Sequence, residues 1–224
     1  MSSLFLKIVN MSIAASWLIL AVVLLRVVLK KAPKWIHVLL WGIVAFRLIC
    51  PFSFESALSL IPSAETISPE IMMDWTPEIS TGVSSIDKVV NPIITDTFAP
   101  EPIASANPLQ LLIPLLAIVW AIGIIAMLVY AAVSYFRLQK KVCASLSVRD
   151  NIWICDDIQT PFILGFFKPS IYIPSGTDEA QLPYIIAHEN AHLKRCDHLW
   201  KPLGYLVLAI HWFNPLVWLS LIHI

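Results

Sequence analysis

Charge is what this sequence has least of: 13% of its 224 residues are Asp, Glu, Lys or Arg, while 58% are hydrophobic. Soluble chains carry about 25% charged and 45–50% apolar residues, so an ordinary soluble domain is excluded and a membrane protein is expected. The 15 acidic and 15 basic residues cancel, so no overall charge selects a partner. There is also no basic patch interleaved with aromatics, and direct nucleic-acid binding is not expected. Cys50, Cys143, Cys155 and Cys196 form no C-x-x-C pair and no even framework within one segment. Reduced thiols are expected, without disulfides.

What the chain does have is long apolar runs. Ile8 to Leu29 is long enough to cross a bilayer, which takes about 20 residues. Lys30, Lys31 and Lys34 follow it rather than precede it, which argues against a cleaved signal peptide. Trp35 to Phe52 is a second, slightly short run closed by Pro51, with Trp35, Trp41 and Arg47 suited to an interface. Leu109 to Phe136 carries no charge and is followed at once by Arg137, Lys140 and Lys141. Between the second and third runs lies a segment with eight acidic residues, Lys88 alone against them, and seven prolines. It reads as an exposed connector without lasting helical or strand periodicity, and a sensing role for it has no support beyond its length. The basic clusters then lie on the cytoplasmic side and the acidic segment outside. The divisions are a transmembrane hairpin over 1–53, an extracellular acidic loop over 54–108, a third transmembrane helix over 109–137 and a cytoplasmic domain over 138–224.

That last domain holds the stretch with chemistry. Asn151 to Cys155, Pro161 to Phe167 and Ser170 to Ile173 read as two or three strands between turn residues. Thr177, Asp178 and Glu179 then suit a helix start, and Pro183 fits only in its first turn or at a kink. Inside that helix stands His188-Glu189-Asn190-Ala191-His192. Residues four apart share a helix face, so His188 and His192 can present two imidazole nitrogens to one zinc ion, with Glu189 beside them as general base. Two surface histidines on a helix would be the bland alternative. Strand, turn and then an H-E-x-x-H helix is the order of a zincin, in which an edge strand holds a peptide substrate. Ile171, Tyr172 and Ile173 are the candidate substrate-binding residues, with a purely structural hairpin as the equal alternative.

Several further polar residues stand near the motif. Asp197, five residues after His192, is a candidate for orienting a ligand imidazole, against a solvated helix end. Cys196 and His198 are ligands by type only, and Cys196 is read first as a packing residue. His211 and Asn214 interrupt an apolar stretch and need partners, for which the zinc helix is the expected one. Leu203 to Phe213 is too short to span before Asn214-Pro215 breaks it. A helix buried against the inner leaflet is expected there, with a conventional span as the alternative.

The run Thr160-Pro161-Phe162-Ile163-Leu164-Gly165 leading to Lys168-Pro169 and Ile173-Pro174, the run His188 to Asp197, and His211-Trp212-Phe213-Asn214-Pro215-Leu216-Val217-Trp218 together resemble the BlaR/MecR family of bacterial membrane metallopeptidases. The resemblance implies a mostly α, multi-pass plasma-membrane protein with three transmembrane helices and a partial α+β, gluzincin-like cytoplasmic domain. It implies Zn2+ as cofactor and a protein substrate, in the best-known members a transcriptional repressor of resistance genes, with membrane lipid and a second copy of the chain as further partners. In those members a β-lactam bound to an extracellular carboxy-terminal domain activates the protease. Antibiotic recognition does not carry over, because the sequence given stops at Ile224 before any such domain. The family's third zinc ligand, a Glu expected soon after the Trp218 region, is not present either, since nothing acidic follows Asp197. The expectation is therefore a fragment of a longer enzyme, itself inactive or nearly so. A non-catalytic signalling scaffold and a heat-shock-type membrane zinc protease are the alternatives.

Overall fold

The computed structural model describes residues 1–29, 33–50, 66–74, 76–81, 83–98, 108–149 and 151–223. Lys30 and Lys31 of the expected cytoplasmic cluster, and Glu55, Glu65 and Glu101 of the acidic segment, lie outside the described residues. The elements in order are α1 (Ser2–Val28), α2 (Lys34–Ile49), a 3-10 turn (Pro69–Met72), α3 (Ser84–Phe98), α4 (Pro108–Lys141), β1 (Leu146–Arg149), β2 (Ile152–Cys155), β3 (Phe162–Leu164), β4 (Ser170–Pro174), α5 (Leu182–Lys194), α6 (Asp197–Ile210) and α7 (Pro215–His223). They group into two compact units, Met1–Ile125 with Val207–Ile224, and Ala126–Leu206.

α1, in the first unit, and α4, whose residues are divided between the two units, are long and apolar enough to cross a membrane. The 16-residue α2 reaches only about 24 Å at 1.5 Å per residue, short of the roughly 30 Å hydrocarbon core. One face of α1 buries Met11, Ala14, Ala15, Ile19 and Val22, and α2 and α7 pack against it. Small residues there let neighbouring backbones approach closely, which is how helices gain contact in an apolar medium.

The polar residues of the first unit satisfy backbone groups that helix ends leave unpaired. Leu48 lies in the last turn of α2, where carbonyls have no partner within the helix. His211 Nε2 donates to that carbonyl at 3.2 Å. At the end of α6 the Ile210 carbonyl accepts Trp120 Nε1–H at 2.8 Å. Asn214 caps α7: its Oδ1 accepts Leu216 N–H at 2.9 Å, and Pro215 takes the first helical position where no N–H is needed. Its Nδ2 reaches Ser12 Oγ and Ser16 Oγ, both at 2.7 Å. The expected packing of His211 and Asn214 against the zinc helix is thus corrected, because their partners are α2 and α1. Gly123 lies under the Trp212 indole, where any Cβ would overlap the ring. That contact lets Trp212 Nε1–H reach the Trp120 carbonyl at 3.2 Å.

The acidic segment also differs from expectation. Asn10 of α1 grips Ile67 twice, donating to its carbonyl at 2.8 Å and accepting its N–H at 2.9 Å. Ile71 joins Leu6, Leu109 and Ile113 in a buried cluster. Residues 84–98 form α3 despite Pro92. Asn91 pairs with both backbone groups of Ile79, and Asp87 Oδ1 accepts the Thr81 N–H at 2.9 Å and its hydroxyl at 2.6 Å. These side chains do locally what an unbroken periodicity would otherwise have to do.

The second unit holds a four-stranded sheet in the order β1-β2-β4-β3. β2 and β4 are parallel, and the outer pairs are antiparallel. Ile171 and Ile173 of β4 are fully buried, and α5 packs on β3. Phe162, Tyr172 and Trp153, direct partners across three strands, stack at centroid spacings of 5.7 and 6.4 Å. The β3–β4 turn needs Gly165, whose φ of +116° and contact with the Lys168 carbonyl leave no room for a side chain.

Candidate metal centre

Helix α5 carries the motif. Pro183 sits in its first turn, which resolves the two readings open from sequence: a proline costs nothing where the N–H is unpaired anyway. The helix stops at Lys194. Cys196 then takes the left-handed conformation with φ 58°, the role glycine usually fills at a helix end. Cys196 is exposed, so it reverses the chain rather than packing. That reversal opens α6 at Asp197 and returns its carboxylate to the motif.

The geometry at the motif is compact. His188 Nε2 and His192 Nε2 approach to 3.2 Å, with the rings edge to face at 86°. Two nitrogens held 2.0–2.1 Å from one tetrahedral ion lie about 3.3 Å apart, so the pair fits zinc. The same spacing accommodates an N–H···N bond, and it is the other ring nitrogen of His192 that sets the tautomer. His192 Nδ1 lies 2.6 Å from Asp197 Oδ2. A carboxylate only accepts, so Nδ1 carries the proton and the Nε2 lone pair faces His188. Arg195 Nη2 donates to the same Asp197 oxygen at 3.0 Å. Its 2.8 Å approach to His192 Nδ1 is a contact between two donors converging on one acceptor.

The hydrogen bond from His192, together with the charges of Arg195 and Lys201, holds Asp197 below the ordinary carboxylate range, against a smaller opposing effect of burial. It therefore stays ionised and able to hold the imidazole. Glu189 lies half-buried beside the pair. His198 is not gathered in. Among the described residues no group of three His, Cys, Asp or Glu side chains is placed to hold a metal, so His188 and His192 are the candidate ligands that this stretch offers.

The candidate substrate strand is corrected. Ile171 and Tyr172 pair with β2 on one side and β3 on the other, and Ile173 pairs with β2. The central strand β4 has no free edge there for a peptide. The open edges belong to β1 and β3, and β3 is the one against α5. Sequence reading missed Arg195 as a partner of Asp197, although a basic residue two positions away was a visible signal.

Comparison with known proteins bears on the same residues. The description BlaR1 peptidase M56 matches residues 6–224. The methicillin resistance mecR1 protein of Staphylococcus aureus is 30% identical over 95 residues, taking in 39% of this chain and 16% of that protein. The mecR1 protein of Staphylococcus epidermidis gives the same figures. Regulatory protein BlaR1 of Bacillus licheniformis is 34% identical over 64 residues, 27% of this chain and 11% of that protein. The matched stretch is thus about a sixth of the length of the mecR1 relatives. Because the family match runs through nearly the whole sequence, the chain belongs to the BlaR1-type M56 family of membrane metallopeptidases.

Proposed function

We propose that this chain forms part of a membrane-embedded zinc endopeptidase of the BlaR/MecR type that cuts a cytoplasmic regulatory protein, such as a transcriptional repressor. The observation that carries this reading is the pair of converging Nε2 atoms with Asp197 fixing one ring. His188 and His192 would hold the ion. Zinc, when bound, supplies a Lewis acid that polarises a carbonyl and acidifies water. Glu189 takes a proton from the attacking water on its carboxylate and delivers it to the leaving amine nitrogen. Asp197 keeps the His192 Nδ1 proton in place, so the ring neither turns nor changes tautomer. The peptide lies along the free edge of β3, its amides paired with the backbone of Phe162 to Leu164.

The test is hydrolysis of an unstructured protein such as β-casein by a detergent-purified version extended to supply an acidic third ligand, alongside its zinc content. The expected result is zinc-dependent cutting that a chelator stops and added zinc restores. No cutting, or a protein that takes up no zinc, would leave a non-catalytic scaffold as the better reading.

The topology of the proposal is equally testable. α1 and α4 span, the short α2 crosses where the bilayer thins around it, Arg137 to Lys141 lie in the cytoplasm with the zinc site, and the acidic segment lies outside. A reporter fused after Ile67 or Asp87 is expected to be active only outside the cell, and one after Arg149 only inside. The reverse pattern at either position would remove the cytoplasmic substrate class.

A further inference from the structure

A cavity of about 590 Å³ in the second unit lies at the carboxyl ends of the parallel strands β2 and β4 and beside the start of α5. The volume falls within the range of small-ligand pockets. Ile158, Pro174 and Ile185 give it apolar walls, while Asp156, Asp178 and Gln181, all exposed, stand at its mouth. Ile185 is the link to the metal centre. It lies three residues before His188 and four before Glu189, one helical turn along the same stripe of α5.

The pocket has a definite charge character. Asp178 Oδ1 accepts the Ala180 N–H at 3.2 Å in the turn ahead of α5, which leaves its other carboxylate oxygen for a ligand. The helix end amounts to roughly half a charge, whereas two carboxylates bring two. Among the described residues neither Asp156 nor Asp178 joins an ion pair. A long apolar stem ending in a cation matches apolar walls with acids at the mouth, because such side chains bury their methylenes and keep the head where it is solvated or paired.

We infer that this cavity is a specificity pocket for a lysine or arginine side chain of the peptide substrate, arginine preferred because its fork can bridge two carboxylates. The inference rests on the peptidase reading and names the substrate class of that site: proteins cut beside a basic residue. Asp156 and the free oxygen of Asp178 take the guanidinium, Gln181 offers a further acceptor, and Ile185 passes the stem toward Glu189.

Binding separates this inference from the catalytic one. The Glu189→Gln chain, loaded with zinc in detergent, is titrated with fluorescein-labelled Gly-Gly-Arg-Gly-Gly and Gly-Gly-Leu-Gly-Gly. The arginine peptide is expected to bind about tenfold more tightly, the combined effect of two exposed charge-assisted contacts at the upper end of their usual range. Asp156→Asn together with Asp178→Asn is expected to bring the ratio to within about twofold, while the amide oxygen that replaces the Asp178 carboxylate still accepts the Ala180 N–H. Asp156→Asn alone, at a carboxylate with no ion-pair partner among the described residues, should give an intermediate ratio. A ratio near one in the parent chain, or one that Asp156→Asn leaves unchanged, overturns the pocket. Selective arginine binding without any Glu189-dependent hydrolysis upholds the pocket while the peptidase reading fails. Glu189-dependent casein cutting with no bias toward basic residues sinks the pocket alone.

Discussion

In a version that supplies an acidic third ligand, Glu189→Gln is expected to lower peptide hydrolysis by about 10²–10⁴-fold, the usual contribution of a positioned general base, while zinc content stays the same. The amide keeps the size, the half-buried position on α5 and the hydrogen-bonding capacity of the acid, so the helix has no reason to move. What it loses is a site that can accept a proton and give it up again. The two quantities therefore separate in this variant, and metal analysis beside casein hydrolysis reads both. Hydrolysis at the parent rate would remove Glu189 from the chemistry. Loss of zinc along with activity would show instead that Glu189 acts on the ion or on the fold.

The histidine pair should behave in the opposite way. His188→Ala or His192→Ala leaves a single imidazole, and bound zinc and hydrolysis should vanish together, because two ligands from this stretch already fall short of the three that catalytic zinc sites use. Asp197→Asn is expected to sit between, with zinc affinity lowered about 10–100-fold, the usual effect of removing a group that orients a ligand. The asparagine can still accept the His192 Nδ1 proton through its oxygen, but without the ionic contribution and with weaker attraction for Arg195. Competition against a zinc indicator measures the series directly. Equal affinity for Asp197→Asn and the parent would mean that the 2.6 Å contact does not act on the metal.

The parts of this molecule governed by short spacing were readable from sequence. The four-residue separation of His188 and His192 led to converging Nε2 atoms because helix geometry is fixed. The break at Asn214-Pro215 became the α6–α7 boundary because proline has only one comfortable place at a helix start. What failed were statements about pairing between distant segments. The alternation at Ile171 and Ile173 announces a buried face, yet nothing in it says how many neighbours the strand has. β1 was missed for a related reason: Leu146-Ser147-Val148-Arg149 alternates over four residues only, and all four are exposed, so no buried face sets it apart from a loop. α3 was hidden by proline counting. The bonds from Asn91 and Asp87 that anchor it reach 12 and 6 residues back, a range at which composition carries no signal. His211 needed a partner, as its apolar surroundings indicated, but an unpaired carboxyl-end carbonyl on α2 is a property of a finished helix and cannot be seen in the residues Leu48 and His211 themselves.

The bonds around residues 211–214 also carry a timetable. Synthesis runs from the amino end, and segments made first are free to settle first. Ser12, Ser16 and the Leu48 carbonyl, which receive Asn214 and His211, are made roughly 160 to 200 residues earlier than the side chains they receive. The acceptors therefore wait in place, and the polar turn is born into a site already prepared for it. A chain synthesised without α1 would still let Asn214 cap α7 but would leave its amide nitrogen in apolar surroundings without Ser12 and Ser16, so the first helix acts for the last one much as a resident chaperone would.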